Sequence, residues 1–193
     1  MALQNRVLPT GEIVADPARG LFTGNRGCLH DDQKRLGKAR WKSRAWIICE
    51  LKFKGWKRQV MTPRSWTELF FLDEAVALAA GHRPCALCRR EAYNTYRGAW
   101  GGHPKAVEMD EALHAARLGK RIWQESEGLP DGAFVRVEGR GFLLLAGRML
   151  PYAPAGYGRA MERVRGRVEV LTPTPTMAVL QAGYRPVLHG SAG

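Results

Sequence analysis

Residues 70–90, FFLDEAVALAAGHRPCALCRR, decide how the rest of the chain is read. The apolar run TELFFL (67–72) predicts a short strand that leads into a helix. Asp73 has the chemistry of a helix N-cap, since its carboxylate can accept from the free N–H groups of a first turn. EAVALAA has helix-forming composition. Gly81 stands where a left-handed C′ residue belongs, and Pro84 blocks any continuation. Cys85-Ala-Leu-Cys88 then places two thiols at the start of a second helix, expected from about Arg89 to Tyr96.

Zinc takes four soft or borderline ligands in a tetrahedron, and a two-residue gap lets one knuckle supply two of them. The chain has four cysteines. The expectation is therefore one zinc held by Cys85, Cys88, Cys49 and Cys28, with His30 and His82 as substitutes for either of the last two. A redox CxxC usually sits in a thioredoxin-like βαβ context, which is missing around residues 85–88. Cys49 also suits a core thiol, because Trp46-Ile47-Ile48 precedes it.

The stretch from Phe70 to Arg90 resembles the end of the zinc-binding N-terminal domain of Ada-type DNA repair proteins. That family closes the domain with an aromatic strand, a helix of the type EALAAG, and FRPC-x-x-C followed by basic residues. Gly81, Arg83, Pro84, Cys85 and Cys88 match directly. The resemblance implies that Cys85 and Cys88 are zinc ligands. It also sets Cys49 near the family's upstream cysteine pair, one member of which accepts a methyl group from a damaged DNA phosphate. This chain has only Cys49 there, and nothing after Tyr93 resembles the family's other domains.

Upstream, residues 5–15 predict a hairpin turning at Pro9-Thr10-Gly11. Gly20 to Gly27 (GLFTGNRG) is expected to be loop, without the spacing of a phosphate-binding glycine motif. Trp46–Cys49 and Leu51–Lys54 are expected to form one extended strand ended by Gly55, with a return strand at Gln59-Val60-Met61. Cys28-Leu-His30-Asp31-Asp32 puts ligand-type residues together. The two readings of it are a turn with an aspartate cap and a second metal site of nuclease type.

Charge is unevenly placed. The chain carries +12, and Gln33 to Arg64 holds eleven Lys or Arg against Glu50 alone. Tryptophans 41, 46, 56 and 66 interleave with these cations. Phosphates need cations and splayed bases need flat aromatic faces, so the pattern points to nucleic acid, DNA ahead of RNA. The candidate contacts are Arg40, Lys42, Arg44, Lys52, Lys54, Trp56, Lys57 and Arg58. Lys52 and Lys54 would share a face of the strand; Trp46 is expected in the core and Trp56 exposed.

Downstream, a third helix is expected from Lys105 to Leu118, a hairpin within Gly132–Leu150, a strand at Val168–Leu171 and a last helix from Thr174 to Gly183. Ala77–Cys85 echoes Val179–Val187 as helix, glycine, one residue, Arg, Pro, which reads as shared helix-stop chemistry. The fold class is α+β: a basic zinc module over residues 1–128, with a small antiparallel sheet and helices, then a β-rich part over 129–193 ending in a helix. The first residues lack the apolar core of a signal peptide, and no run reaches the roughly 18 apolar residues of a membrane span. The expected address is the cytoplasm.

The expected function is zinc-stabilised nucleic-acid binding. The alternatives are an enzyme on nucleic acid, using His30, Asp31 and Asp32 or the Cys49 thiol, and a protein-interaction module.

Overall fold

The computed structural model describes residues 2–56 and 59–193, and it is an α+β fold built on two sheets. The first sheet takes β1 (Gln4–Val7), β2 (Ile13–Ala15), β3 (Phe22–Asn25), β4 (Ile47–Glu50), β5 (Leu69–Phe71) and β6 (Arg83–Pro84), in the order β2-β1-β5-β3-β4-β6. Three helices belong to this half: α1 (Glu74–Ala79), α2 (Arg90–Trp100) and α3 (Ala106–Leu118). The second sheet takes β7 (Ile122–Glu125), β8 (Phe134–Val137), β9 (Arg140–Leu145), β10 (Arg148–Ala153), β11 (Gly156–Tyr157), β12 (Met161–Glu162) and β13 (Arg167–Val170), followed by helix α4 (Thr174–Gln181). β7 thus joins the second sheet a few residues ahead of the expected change at Leu129.

Two parallel pairs, β1 with β5 and β4 with β6, make the first sheet mixed; its other pairs are antiparallel. The expected hairpin at 5–15 is β1–β2. The glycine-rich stretch is a correction, for it holds β3, between β5 and β4. A Cβ on Gly24 would lie 2.1 Å from the Ile47 carbonyl oxygen, and one on Gly20 would lie 1.9 Å from that of Phe71. These glycines admit the close approach of neighbouring backbone, a use that composition cannot distinguish from loop.

The expected long strand is also corrected. β4 stops at Glu50, and the chain turns through Lys54 and Gly55, both at positive φ (48° and 70°). Residues 59–61 are no return strand either; Met61 sits at φ 54°.

One apolar core spans both halves, joining Val7, Phe71 and Leu78 to Val135, Phe142, Val179 and Tyr184. Helix α4 packs on α2 and α3. The internal echo is a repeated Schellman ending. At α1 the N–H of Gly81 donates to Leu78 and that of His82 to Ala77, both at 2.9 Å; at α4 Gly183 donates to Leu180 at 3.0 Å and Tyr184 to Val179 at 3.2 Å.

Asp73 caps α1 as expected, accepting from the Val76 N–H at 3.0 Å. Its second oxygen accepts from the Tyr157 hydroxyl at 2.7 Å and the His189 N–H at 3.0 Å. The carboxylate of Glu74 accepts from the Tyr184 hydroxyl at 2.7 Å and the Val187 N–H at 2.9 Å. Two buried acids at the start of one short helix therefore hold the C-terminal segment onto the first half. No described helix is long and apolar enough to cross a membrane.

Candidate metal centre and the basic loops

Cys49, Cys85 and Cys88 come together because β4 and β6 run in parallel. Ile47 pairs with Arg83 and Ile48 with Pro84, so the next residues stand side by side, Cys49 still within β4 and Cys85 just past the end of β6. The Cys85 N–H anchors this end on the Ile48 carbonyl at 2.9 Å. The chain then folds into a knuckle. The Leu87 N–H donates to the Cys85 sulfur at 3.4 Å, the Arg89 N–H to the Cys85 carbonyl at 3.1 Å, and α2 begins.

The three sulfurs lie within 4.8 Å of one another and form a group that could hold a metal ion. Thiolates on one tetrahedral zinc stand about 3.8 Å apart, given Zn–S bonds of about 2.3 Å, so small side-chain rotations suffice. The cluster already favours a thiolate. Hydrogen bonds from Cys49 and then Cys88 hold Cys85 well below the usual thiol range, and the same bond to Cys85 pushes Cys49 up.

Cys28 does not join them. Thr23 of β3 pairs with Cys49, whereas Cys28 lies past Asn25 at the opposite end of that strand. Its thiol donates to the His30 carbonyl at 3.8 Å. Neither substitute ligand is placed to replace it. His30 is held at Nδ1 by the Thr67 hydroxyl (2.7 Å) and at Nε2 by the Thr62 carbonyl (3.1 Å). His82 is fully buried; it accepts from Arg26 Nε at 3.2 Å, and its other nitrogen meets the Ala77 carbonyl at 3.2 Å. Burial, with Arg26 and Arg117 nearby, pushes its pKa well down, so it is neutral.

Asp31 caps a turn, accepting from the N–H groups of Gln33 and Arg35 and pairing with the Arg35 side chain at 2.9 Å. Asp32 is exposed. His30, Asp31 and Asp32 make no metal-capable group of three among the described residues.

The expected nucleic-acid contacts lie on two excursions from the sheet, 26–46 and 51–66. Arg40, Lys42, Arg44, Lys52 and Lys54 are all exposed there, although Lys52 and Lys54 stand on a turn and not on a strand face. Lys57 and Arg58 lie outside the described residues. Trp56 is 55% exposed and Trp41 39% exposed, while Trp46 is buried as expected.

Two arginines escaped sequence reasoning. Arg26 sits in the glycine run and is 1% exposed; Arg89 follows the knuckle and is 7% exposed. Arg89 donates Nε to Glu50 at 3.1 Å and Nη1 to Glu74 at 2.7 Å, with its guanidinium carbon 4.2 Å from the centre of the Phe22 ring. The neighbours of two candidate ligands, Glu50 after Cys49 and Arg89 after Cys88, thus brace the site from behind. A lone arginine among glycines or after CxxC reads as surface, and only the assembled acids reveal otherwise. Comparison of the chain with protein-family models, with curated proteins and with solved structures finds no match.

Proposed function

We propose that this is a zinc-stabilised nucleic-acid-binding protein, with DNA the expected polymer. Zinc is the ion that best suits three thiols in a site without redox partners, and the resemblance of residues 70–90 to the Ada-type module supports that choice. Bound there, zinc ties β4, β6 and the start of α2 together and contributes folding free energy directly.

One observation carries the nucleic-acid reading. Arg40, Lys42, Arg44, Lys52 and Lys54 are exposed, and among the described residues no carboxylate lies within 4.0 Å of any of them. Glu50, the lone acid of the window 33–64, is taken by Arg89. Such cations are free to neutralise phosphates and release counterions.

The test is a salt series on labelled duplex and single-stranded DNA and RNA. Each phosphate contact contributes about 0.9 to the log–log salt slope on B-DNA, so the triple change Lys42→Ala, Lys52→Ala, Lys54→Ala should flatten it by about three. Unchanged affinity and slope would remove these loops as the binding surface.

A further inference from the structure

Between the two sheets lies a cavity of about 600 Å³, bounded by the β1–β2 turn, the end of α1, the C-terminal end of α3 and the segment joining β13 to α4. Five cations line it, Arg26, Arg40, Arg117, Lys120 and Arg121, against one carboxylate, Glu12. Arg121 is paired with Glu169 just outside the lining at 3.2 Å, so the surplus rests on Arg26, Arg40, Arg117 and Lys120 against Glu12.

The two innermost cations, Arg26 buried and Arg117 half-buried, are the unusual part. Arg26 Nη1 donates to the Gly11 carbonyl at 2.9 Å and Nε to His82 at 3.2 Å, but Nη2 has no partner among the described residues. Arg117 gives Nη1 to Gly81 at 2.6 Å and Nη2 to Arg44 at 2.9 Å, both carbonyls, and leaves Nε without a partner. The two guanidinium carbons lie 3.9 and 4.1 Å from the centre of the Trp46 ring, so both cations stack on one indole. Neither has an acid in ion-pair contact: Asp110, whose charge favours the Arg117 cation, is itself taken in a two-point bond by Arg83, at 2.8 Å for each contact. Burial first, and then the charge of Arg117, lowers Arg26 to about 9, which leaves it a cation at neutral pH.

A buried guanidinium beside a second, half-buried one costs stability unless an anion completes them. Structural duty accounts for the carbonyl contacts and the stacking. It accounts for neither the orphaned N–H groups nor the excess positive charge around the cavity.

We propose that this cavity binds a phosphoryl group, a phosphomonoester presented by a free nucleotide-sized molecule or by the end of a nucleic-acid strand. Guanidinium forks match phosphate oxygens, and a phosphomonoester carries about −1.5 to −2 near pH 7, which suits a site with this surplus. The volume falls within the roughly 300–1,000 Å³ of small-molecule sites, leaving room for a body beyond the phosphoryl group. The buried Arg26 and the half-buried Arg117 supply the inner charge, and the exposed Arg40 and Lys120 draw the anion in. The inference shares Arg40 with the nucleic-acid reading but does not rest on it, because the loop lysines 42, 52 and 54, whose change tests that reading, do not line this cavity.

The experiment titrates the full chain with inorganic phosphate, a nucleoside 5′-monophosphate and succinate, by calorimetry and by side-chain NMR of the arginine Nε–H groups. Phosphate and the monophosphate should bind and shift the Arg26 and Arg117 signals. Arg26→Gln should weaken binding at least tenfold. The rim change Arg40→Ser with Lys120→Ser, at exposed positions that leave the fold intact, should weaken it several-fold. Oligonucleotides with and without a 5′-phosphate separate the sources. A preference for the phosphorylated strand assigns the site to strand ends; no preference, with the monophosphate binding, assigns it to free nucleotides. Succinate binding as tightly as phosphate, phosphate failing to bind at millimolar concentration, or rim and Arg26 variants binding unchanged would each overturn the proposal.

Discussion

Arg89 Nη1 lies 2.7 Å from Glu74 Oε1, with side chains only 4% and 1% exposed. One ion pair thereby links the residue after Cys88 to the helix that holds the C-terminal segment, since the same carboxylate accepts from Tyr184 and Val187. Breaking a buried pair leaves an unpaired charge, which costs about 3–5 kcal/mol. Glu74→Ala should lose that much in a urea melt. Glu50, with a side chain 40% exposed, is the outer partner of Arg89, and Glu50→Ala should cost no more than about 1 kcal/mol. Equal losses in the two variants would deny that Glu74 is the central brace.

Asp73 makes a prediction about pH. Burial raises its pKa above 3.8, against the opposing hydrogen bonds from Val76, Tyr157 and His189. Between 3.8 and its raised folded value, the folded chain keeps the proton that the unfolded chain releases. Stability from this group is thus complete below the unfolded pKa and is lost as pH rises through the folded one. Asp73→Asn keeps an N-cap oxygen and removes the titration. Its amide nitrogen cannot accept from the His189 N–H, so it should be less stable than the parent by about 1–3 kcal/mol, with a flatter stability profile above about pH 4, the ordinary aspartate range. A parent more stable at pH 7 than at pH 3.5, with that difference erased by Asp73→Asn, would reverse the sign.

Metal content should separate the four cysteines. Protein purified without chelator should carry one zinc per chain, and Cys49→Ser, Cys85→Ser and Cys88→Ser should each lose it. Cys28→Ser should keep it, because that thiol lies apart from the other three. Removing zinc with a strong chelator should cost several kcal/mol, lowering the melting temperature by about 10 °C. Loss of zinc from Cys28→Ser, or a melt indifferent to the chelator, would contradict the three-sulfur site.

Two glycines should respond oppositely to alanine. At Gly24 the new Cβ would meet the Ile47 carbonyl oxygen at 2.1 Å, so the strands must part, at about 1–3 kcal/mol or more. Gly98 lies inside α2 with nothing within 4 Å of such a Cβ, and Gly98→Ala should stabilise by about 0.5–1 kcal/mol. Chemical denaturation of the two variants reads both signs.

By itself the sequence determined what local chemistry settles. The Asp73 cap, the Gly81 ending and the Cys85–Cys88 knuckle each depend on groups within about five residues, so residue type and spacing are enough to write them down. The same holds for the repeated ending at Gly183 and for the exposure of Lys42 and Trp56 on polar, glycine-broken segments. Tertiary structure alone decided which distant groups meet. Parallel pairing of β4 with β6 brought Cys49 to the knuckle, and the antiparallel register of β3 sent Cys28 to the far end. Gly24 reads as loop because glycine promises flexibility in sequence, whereas in β3 it admits a neighbouring backbone. Arg26, Trp46 and Arg117 are far apart in the chain and share one indole only once α3 packs beside the first sheet. Composition records the total charge; which cations are buried, and which stay without an acid, is set by long-range packing.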